Sequence, residues 1–161
     1  MLLFEDAARH YRQALTIRER IGELREQGST HGELAALYLD ADQAELAREH
    51  CQHALAIHDR TGDDVARRDA LTTLEDIQRQ LGSRRESVRT AHRAVALSEA
   101  IADCLRRGRA LTILAHALAT AGFSHAADLA CAEALTAIQE VADPDARTLR
   151  DRLHTIQDAA T

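Results

Sequence analysis

Residues 47–55 read Ala47-Arg48-Glu49-His50-Cys51-Gln52-His53-Ala54-Leu55, and Ala47, Cys51, Ala54 and Leu55 stand at spacings of four, three and one. Those spacings put all four on one face of a helix. Forty residues earlier stand Ala7, Tyr11, Ala14 and Leu15; forty later, Ser87, Ala91, Ala94 and Val95; forty later again, Ala127, Cys131, Ala134 and Leu135. Each column keeps its size class: small, medium, small, large aliphatic. Small residues on a helix face let a second helix approach closely, so the stripe marks a packing surface repeated four times.

Between these copies runs a second set in the same register: Leu34, Leu74 and Leu114, then Ala35, Glu75 and Ala115, then Tyr38, Gln78 and Leu118. The turn columns agree. Asp42, Gly82 and Gly122 fall between the two helices of a pair, and Gly22, Gly62, Ala102 and Ala142 close the second helix. Glu23, Asp63, Asp103 and Asp143 follow as N-cap candidates, Pro144 suits a first helical position, and Ser83 to Glu86 has the spacing of a capping box. The expected helices are 4–21, 26–41, 43–61, 64–81, 83–102, 104–121, 124–141 and 144–158, with no linker, so that 1–161 reads as a single domain stabilised by stacking.

Composition agrees. Hydrophobic residues make up 45% of 161 and charged ones 29%, but aromatics only 2%, with no Trp and a single Pro. An apolar share dominated by Ala and Leu favours helix over strand. The net charge of -6 disfavours direct nucleic-acid binding, which needs a basic footprint. All twenty basic residues are Arg, and neither Lys nor Asn occurs; both have AT-rich codons, which points to a high-GC genome such as an actinobacterium's. Three cysteines with no secretory signal ahead of them point to a reducing cytoplasm, and no apolar run reaches the length of a membrane span.

Helix pairs of this pattern resemble tetratricopeptide repeats (TPR). The best copy is His31 to Asp59, with Leu34-Ala35 and Tyr38 in the first helix and Ala47, Cys51 and Ala54 in the second. The Trp of that family is missing, its helix-pair Gly is Ala or Glu, and forty residues exceed its usual repeat of about thirty-four. The longer unit, with Thr61-Gly62-Asp63-Asp64, Arg68, Ala70-Leu71, Leu74 and Leu81-Gly82, is similar to arrays in antibiotic-regulatory activators and STAND-type ATPases of actinomycetes. The resemblance implies an all-α superhelical stack of antiparallel helix hairpins. It also implies a protein- or peptide-binding module of a transcriptional regulator, or alternatively a small-peptide or metabolite sensor of the quorum-receptor kind. No phosphate-binding loop is present, and without Lys none could be.

In such stacks the first helix of each pair lines the binding side. The register puts Ser29, Leu39, Asp69, Thr72, Asp76, Arg79, Arg109, Thr112, His116 and Arg152 there, a mixed-charge groove suited to a peptide or partner helix. Gly32, Thr72 and Thr112 occupy the column where a carboxylate-gripping adaptor would carry Lys, which argues against such an adaptor.

No catalytic site, cofactor or metal is expected. His50-Cys51-Gln52-His53 sets possible ligands close together, but a structural zinc site wants four, and His50 and His53 fall in surface columns. Cys51 and Cys131 read as packing residues two repeats apart, too distant for a disulfide, and Cys104 reads as structural. Charged residues are spread along helix faces as ion pairs would be. In this register the chain opens on the second helix of a pair and closes on the first helix of another. Leu2, Leu3 and Phe4 then lack a cover, so a longer parent or a homodimer through that end is expected.

Overall fold

A computed structural model describes residues 2–101 and 103–160. The side chains of Leu2, Leu3, Ala100, Ile101, Ala159 and Ala160 lie outside the described residues, as does Ala102, so the expectations placed on them have no counterpart below. Eight helices and no strand are present among the described residues: α1 Leu2–Ile21, α2 Leu24–Asp40, α3 Ala44–Thr61, α4 Asp64–Gln80, α5 Arg84–Ile101, α6 Cys104–Thr120, α7 Ser124–Ala137 and α8 Pro144–Ala160. They fall into two compact units, 1–81 and 82–161.

In the first unit α2 packs on α3 as an antiparallel hairpin, with α1 against α2 and α4 against both. Its core joins Leu34, Ala35 and Tyr38 to Ala47, Cys51 and Ala54 and to Ala70, Leu74 and Ile77, with Phe4, Tyr11 and Leu15 of α1 half-buried beside them. In the second unit α6 packs on α5, α7 and α8. Leu111, Leu114, Ala115 and Leu118 meet Ala127, Cys131 and Ala134, then Leu149, Leu153 and Ile156. The repeated small columns are therefore the seams of both units: Ala47, Ala54, Ala91, Ala94 and Ala134 are fully buried. Their counterparts Ala7, Tyr11 and Ala14 on α1 are only half-buried.

The seams are narrowest at two glycines. A Cβ on Gly28 would lie 2.8 Å from both His58 Cε1 and Ile57 Cγ2, so α2 approaches α3 to a distance only glycine permits. Gly108 stands in the same column forty times two residues on, and a Cβ there would overlap Ile138 Cγ2 of the α7 end. Between them in that column is Arg68, buried to 5% exposure and paired with Asp69.

The turn columns hold, with a substitution of means. Gly22, Gly62, Gly82 and Gly122 all adopt positive φ, and Asp42 takes the same role at φ 57. Asp is one of the few residues for which that region is tolerable, and its carboxylate accepts a hydrogen bond from Gln80 Nε2 at 3.1 Å. Asp63 and Asp103 cap α4 and α6, accepting the Ala66 and Arg106 N–H groups at 3.0 Å, and Asp143 accepts the Asp145 N–H at 2.8 Å. Pro144 opens α8 as expected. Glu23 does not cap: its side chain makes no such bond, because the longer Glu stem overshoots the N–H groups an Asp reaches.

The end of α7 differs from the expectation. The helix stops at Ala137 rather than at 141. Ile138 turns inward to fill the space left by Gly108 and is fully buried. Arg150 of α8 then donates to the carbonyls of Ile138, Gln139 and Val141 at 2.7, 3.4 and 3.3 Å. One guanidinium thus satisfies acceptors that a continuing helix would have bonded internally.

Candidate functional site

The expected groove residues separate into groups with different fates. On α2, Ser29 is exposed and its hydroxyl donates to the Arg25 carbonyl, while Leu39 is half-buried against the first core. On α4, Asp69 is engaged by Arg68, Thr72 donates to the Arg68 carbonyl at 3.2 Å, and Asp76 pairs with Arg79 at 2.9 Å. These last two carry opposite charges that satisfy each other one turn apart. On α6, Arg109 pairs with Asp145 of α8. Thr112 is buried to 1% exposure with its hydroxyl on the Gly108 carbonyl at 2.8 Å, so it faces the seam and not a ligand.

His116 and Arg152 are brought together. They line one cleft of about 420 Å³ between α6 and α8, with Ala119 and Thr120 from α6 and Thr155 and Ile156 from α8. Both helices are first helices of their pairs, and α8 crosses onto α6 because Leu149, Leu153 and Ile156 bury against Leu111, Leu114 and Leu118. The Thr120 and Thr155 hydroxyls donate to the Ala117 and Asp151 carbonyls at 3.0 Å. Arg152 makes no hydrogen bond or ion pair among the described residues. An unpaired guanidinium with five donors, beside an imidazole and an apolar wall, is equipped to hold a carboxylate or carbonyl oxygen.

Most remaining charges are spent at the surface. Asp6–Arg9, Glu45–Arg48, Asp64–Arg67 and Asp103–Arg106 pair at i,i+3 on their own helices, contributing a few tenths of a kcal/mol each. The cysteines behave as packing residues. Burial pushes the Cys51 thiol up to about 12, and it lies 3.2 Å from the Ala70 carbonyl; burial and the neighbouring Asp128 raise Cys131 as well. Cys104 is exposed at the start of α6. None of the three is disulfide-bonded.

The histidines depart from expectation. His53 is exposed, but His50 is half-buried and turned toward α2, where its Nδ1 lies 2.9 Å from Nδ1 of His31. His58 is buried to 3% exposure with Nδ1 unbonded, and burial lowers its pKa against the opposing pull of Asp63, Asp59 and Asp69. Counting columns along one helix missed the first of these. Reflecting the sequence through the Ala41–Gln43 turn, which sets α2 antiparallel to α3, would have placed His31 opposite His53, one turn from His50.

Among solved structures the chain is similar in fold to a candidate kinesin light chain from Podosopora anserina with nearly identical TPR-like repeats. That structure matches at TM-score 0.79 and 18% identity over 97% of this chain and 78% of the other. A variant of the same protein matches at TM-score 0.80 with the same identity and coverage. No family model matches the sequence, and no curated protein matches it. The fold is therefore an all-α, TPR-like arrangement of antiparallel helix hairpins.

Proposed function

We propose that the chain is a non-catalytic scaffold that binds a peptide segment of a protein partner, and that the cleft between α6 and α8 is its principal contact. The observation that carries this reading is Arg152, a guanidinium without a partner at the edge of a preformed cleft on the first-helix side. Its surroundings fit a segment presenting an acidic side chain or carbonyl beside a small apolar one: Ile156 and Ala119 supply the wall, His116 and Arg152 the polar anchor. Within the second unit Arg109 on α6 extends the contact surface, while Asp76 and Arg79 on α4 form a separate polar contact patch of the first unit.

The finer reading is that of a repeat module from a bacterial transcriptional regulator working in the cytoplasm. It is supported by the forty-residue register, which crosses residue 81 without an insertion as in one repeat domain, and by a Lys-free, Arg-rich composition. From the sequence a homodimer is expected through the N-terminal end, but Phe4 there packs on Tyr38; Ile17 and Ile21, 58% and 61% exposed, move the proposed dimer contact to the other end of α1, and light scattering showing only a monomer at high concentration would remove that part. The small-peptide or metabolite reading is kept because about 420 Å³ lies within the usual range for small-ligand sites.

The test is peptide selection from a random displayed library, followed by calorimetry on the winners. Arg152→Ala should weaken binding by about tenfold or more, the scale of losing a charge-assisted hydrogen bond. Arg20→Ala, on the exposed surface of α1, should leave it unchanged. Equal affinity for the Arg152→Ala and native chains would overturn the assignment.

A further inference from the structure

The α2–α3 hairpin carries three imidazoles in contact, and one of them, His50, stacks on the ring that seats α1. His31 and His50 meet through their Nδ1 atoms at 2.9 Å. His53 stacks on His31 with 4.9 Å between ring centroids, and His50 stacks on Tyr38 at 5.4 Å with the rings 10° apart. Tyr38 is the seat of α1: its hydroxyl accepts a hydrogen bond from Arg12, whose guanidinium carbon lies 5.8 Å from the ring centroid, and Phe4 meets it edge-on at 5.9 Å. One aromatic ring therefore connects α1 to the imidazoles.

That arrangement works only with largely neutral rings. Two Nδ1 atoms at hydrogen-bond distance share one proton, so at least one ring must offer a lone pair; with both protonated, two N–H donors face each other. The charges acting on the pair come from Arg12 of α1 and from His53 and Glu49 of α3, while α4 meets the hairpin core through Ala70, Leu74 and Ile77. Only Glu49 favours a cation; burial, Arg12 and His53 oppose one. The stacked faces of His31 and His53 do not converge their lone pairs on one point, and no group of three or more ligands among the described residues could hold a metal ion.

We propose that the His31–His50–His53 cluster is a proton-operated latch: protonation releases α1 from the α2–α3 hairpin and uncovers Tyr38, which is 3% exposed when closed. The direction follows from the rings' folded state. Burial, with His50 and His53 adding to it, lowers His31 from 6.5 to about 4, and burial also lowers His50. Arg12 is one of the groups holding His50 down, and it leaves with α1, so that ring binds a proton more weakly closed than open; closure is lost as pH falls below about 6.5 and is fully present above it. Departure of Arg12, the removal of one neighbouring cation, favours the open form by up to about tenfold below that pH.

The experiment is hydrogen exchange read by mass spectrometry on the full chain at pH 7.5 and 5.0, corrected for the intrinsic exchange rate. Protection across α1 should fall about tenfold on acidification while that of α6 to α8 stays level. In the His31→Gln/His50→Gln chain, whose side chains remain neutral, α1 protection should no longer depend on pH. Unchanged α1 protection in the native chain, or the same fall in the double variant, would overturn the proposal. Should the variant not fold, proton NMR titration of the native chain decides. His31 and His50 titrating below the ordinary 6.5 sustain the latch, and values at or above it remove it.

Discussion

Gly28 and Gly32 lie one turn apart on α2, and the same substitution at the two sites should have opposite signs. In Gly28→Ala the new methyl would sit 2.8 Å from His58 Cε1 and from Ile57 Cγ2 and 3.1 Å from His58 Nδ1. Ordinary contact needs about 3.5–4 Å, so two neighbours must each yield by about 1 Å. Neither yields freely: Ile57 Cγ2 is a branch fixed at Cβ, and His58 is buried to 3% exposure. Overpacking of this degree costs roughly 2–3 kcal/mol, from which the helix preference of Ala over Gly subtracts about 1. The net is a loss of about 1–2 kcal/mol. At Gly32 nothing lies within 4 Å of the added carbon, so only the propensity term acts, and Gly32→Ala should gain up to about 1 kcal/mol. Because the unfolded chain changes alike in both, the gap of about 2–3 kcal/mol reports the α2–α3 approach alone. Urea denaturation followed by far-ultraviolet circular dichroism measures it. Equal stability of the two variants, or a more stable Gly28→Ala, would refute the close seam.

Other consequences are smaller but independent. Asp63→Ala and Asp103→Ala should each cost about 1 kcal/mol through loss of the Ala66 and Arg106 N–H caps, whereas Glu23→Ala, with no cap bond to lose, should cost less than about 0.5 kcal/mol. Arg150→Ala strips the carbonyls at the α7 end of their donor and should cost about 2 kcal/mol by thermal unfolding. The stability of the chain should fall as pH drops from about 6.5 toward 4: His31, His50 and His58 have lowered folded values, so the unfolded state takes up more protons in that window. A denaturant midpoint unchanged from pH 7.5 to 5 would contradict this.

The repeat register was legible because packing is what it encodes. From Ala47 to Ala134 the small columns are buried where their spacing places them, and Gly22, Asp42, Gly62, Gly82 and Gly122 turn five of the connections. What escaped was decided across helices. The early stop of α7 depends on Ile138 finding the gap above Gly108 and on Arg150 arriving from α8; Thr136 to Val141 contains no Gly or Pro to announce it. The helices that line the α6–α8 cleft were legible, but the side chains were not. The register selected the first-helix face, which holds His116 and Arg152, yet it also selected Thr112, because a single column cannot show how far α6 is rotated into its neighbours. The imidazole contact required knowing that α2 and α3 run antiparallel in direct contact.

The central claim is that a partner segment is held in the α6–α8 cleft. Its most direct test is two-dimensional NMR of the labelled chain titrated with a peptide selected from the library. Shifts should concentrate at His116, Ala119, Thr120, Arg152 and Thr155, with residues 2–61 unmoved. Shifts clustered instead on the exposed faces of α7 around Leu129, or spread evenly over the chain, would contradict it.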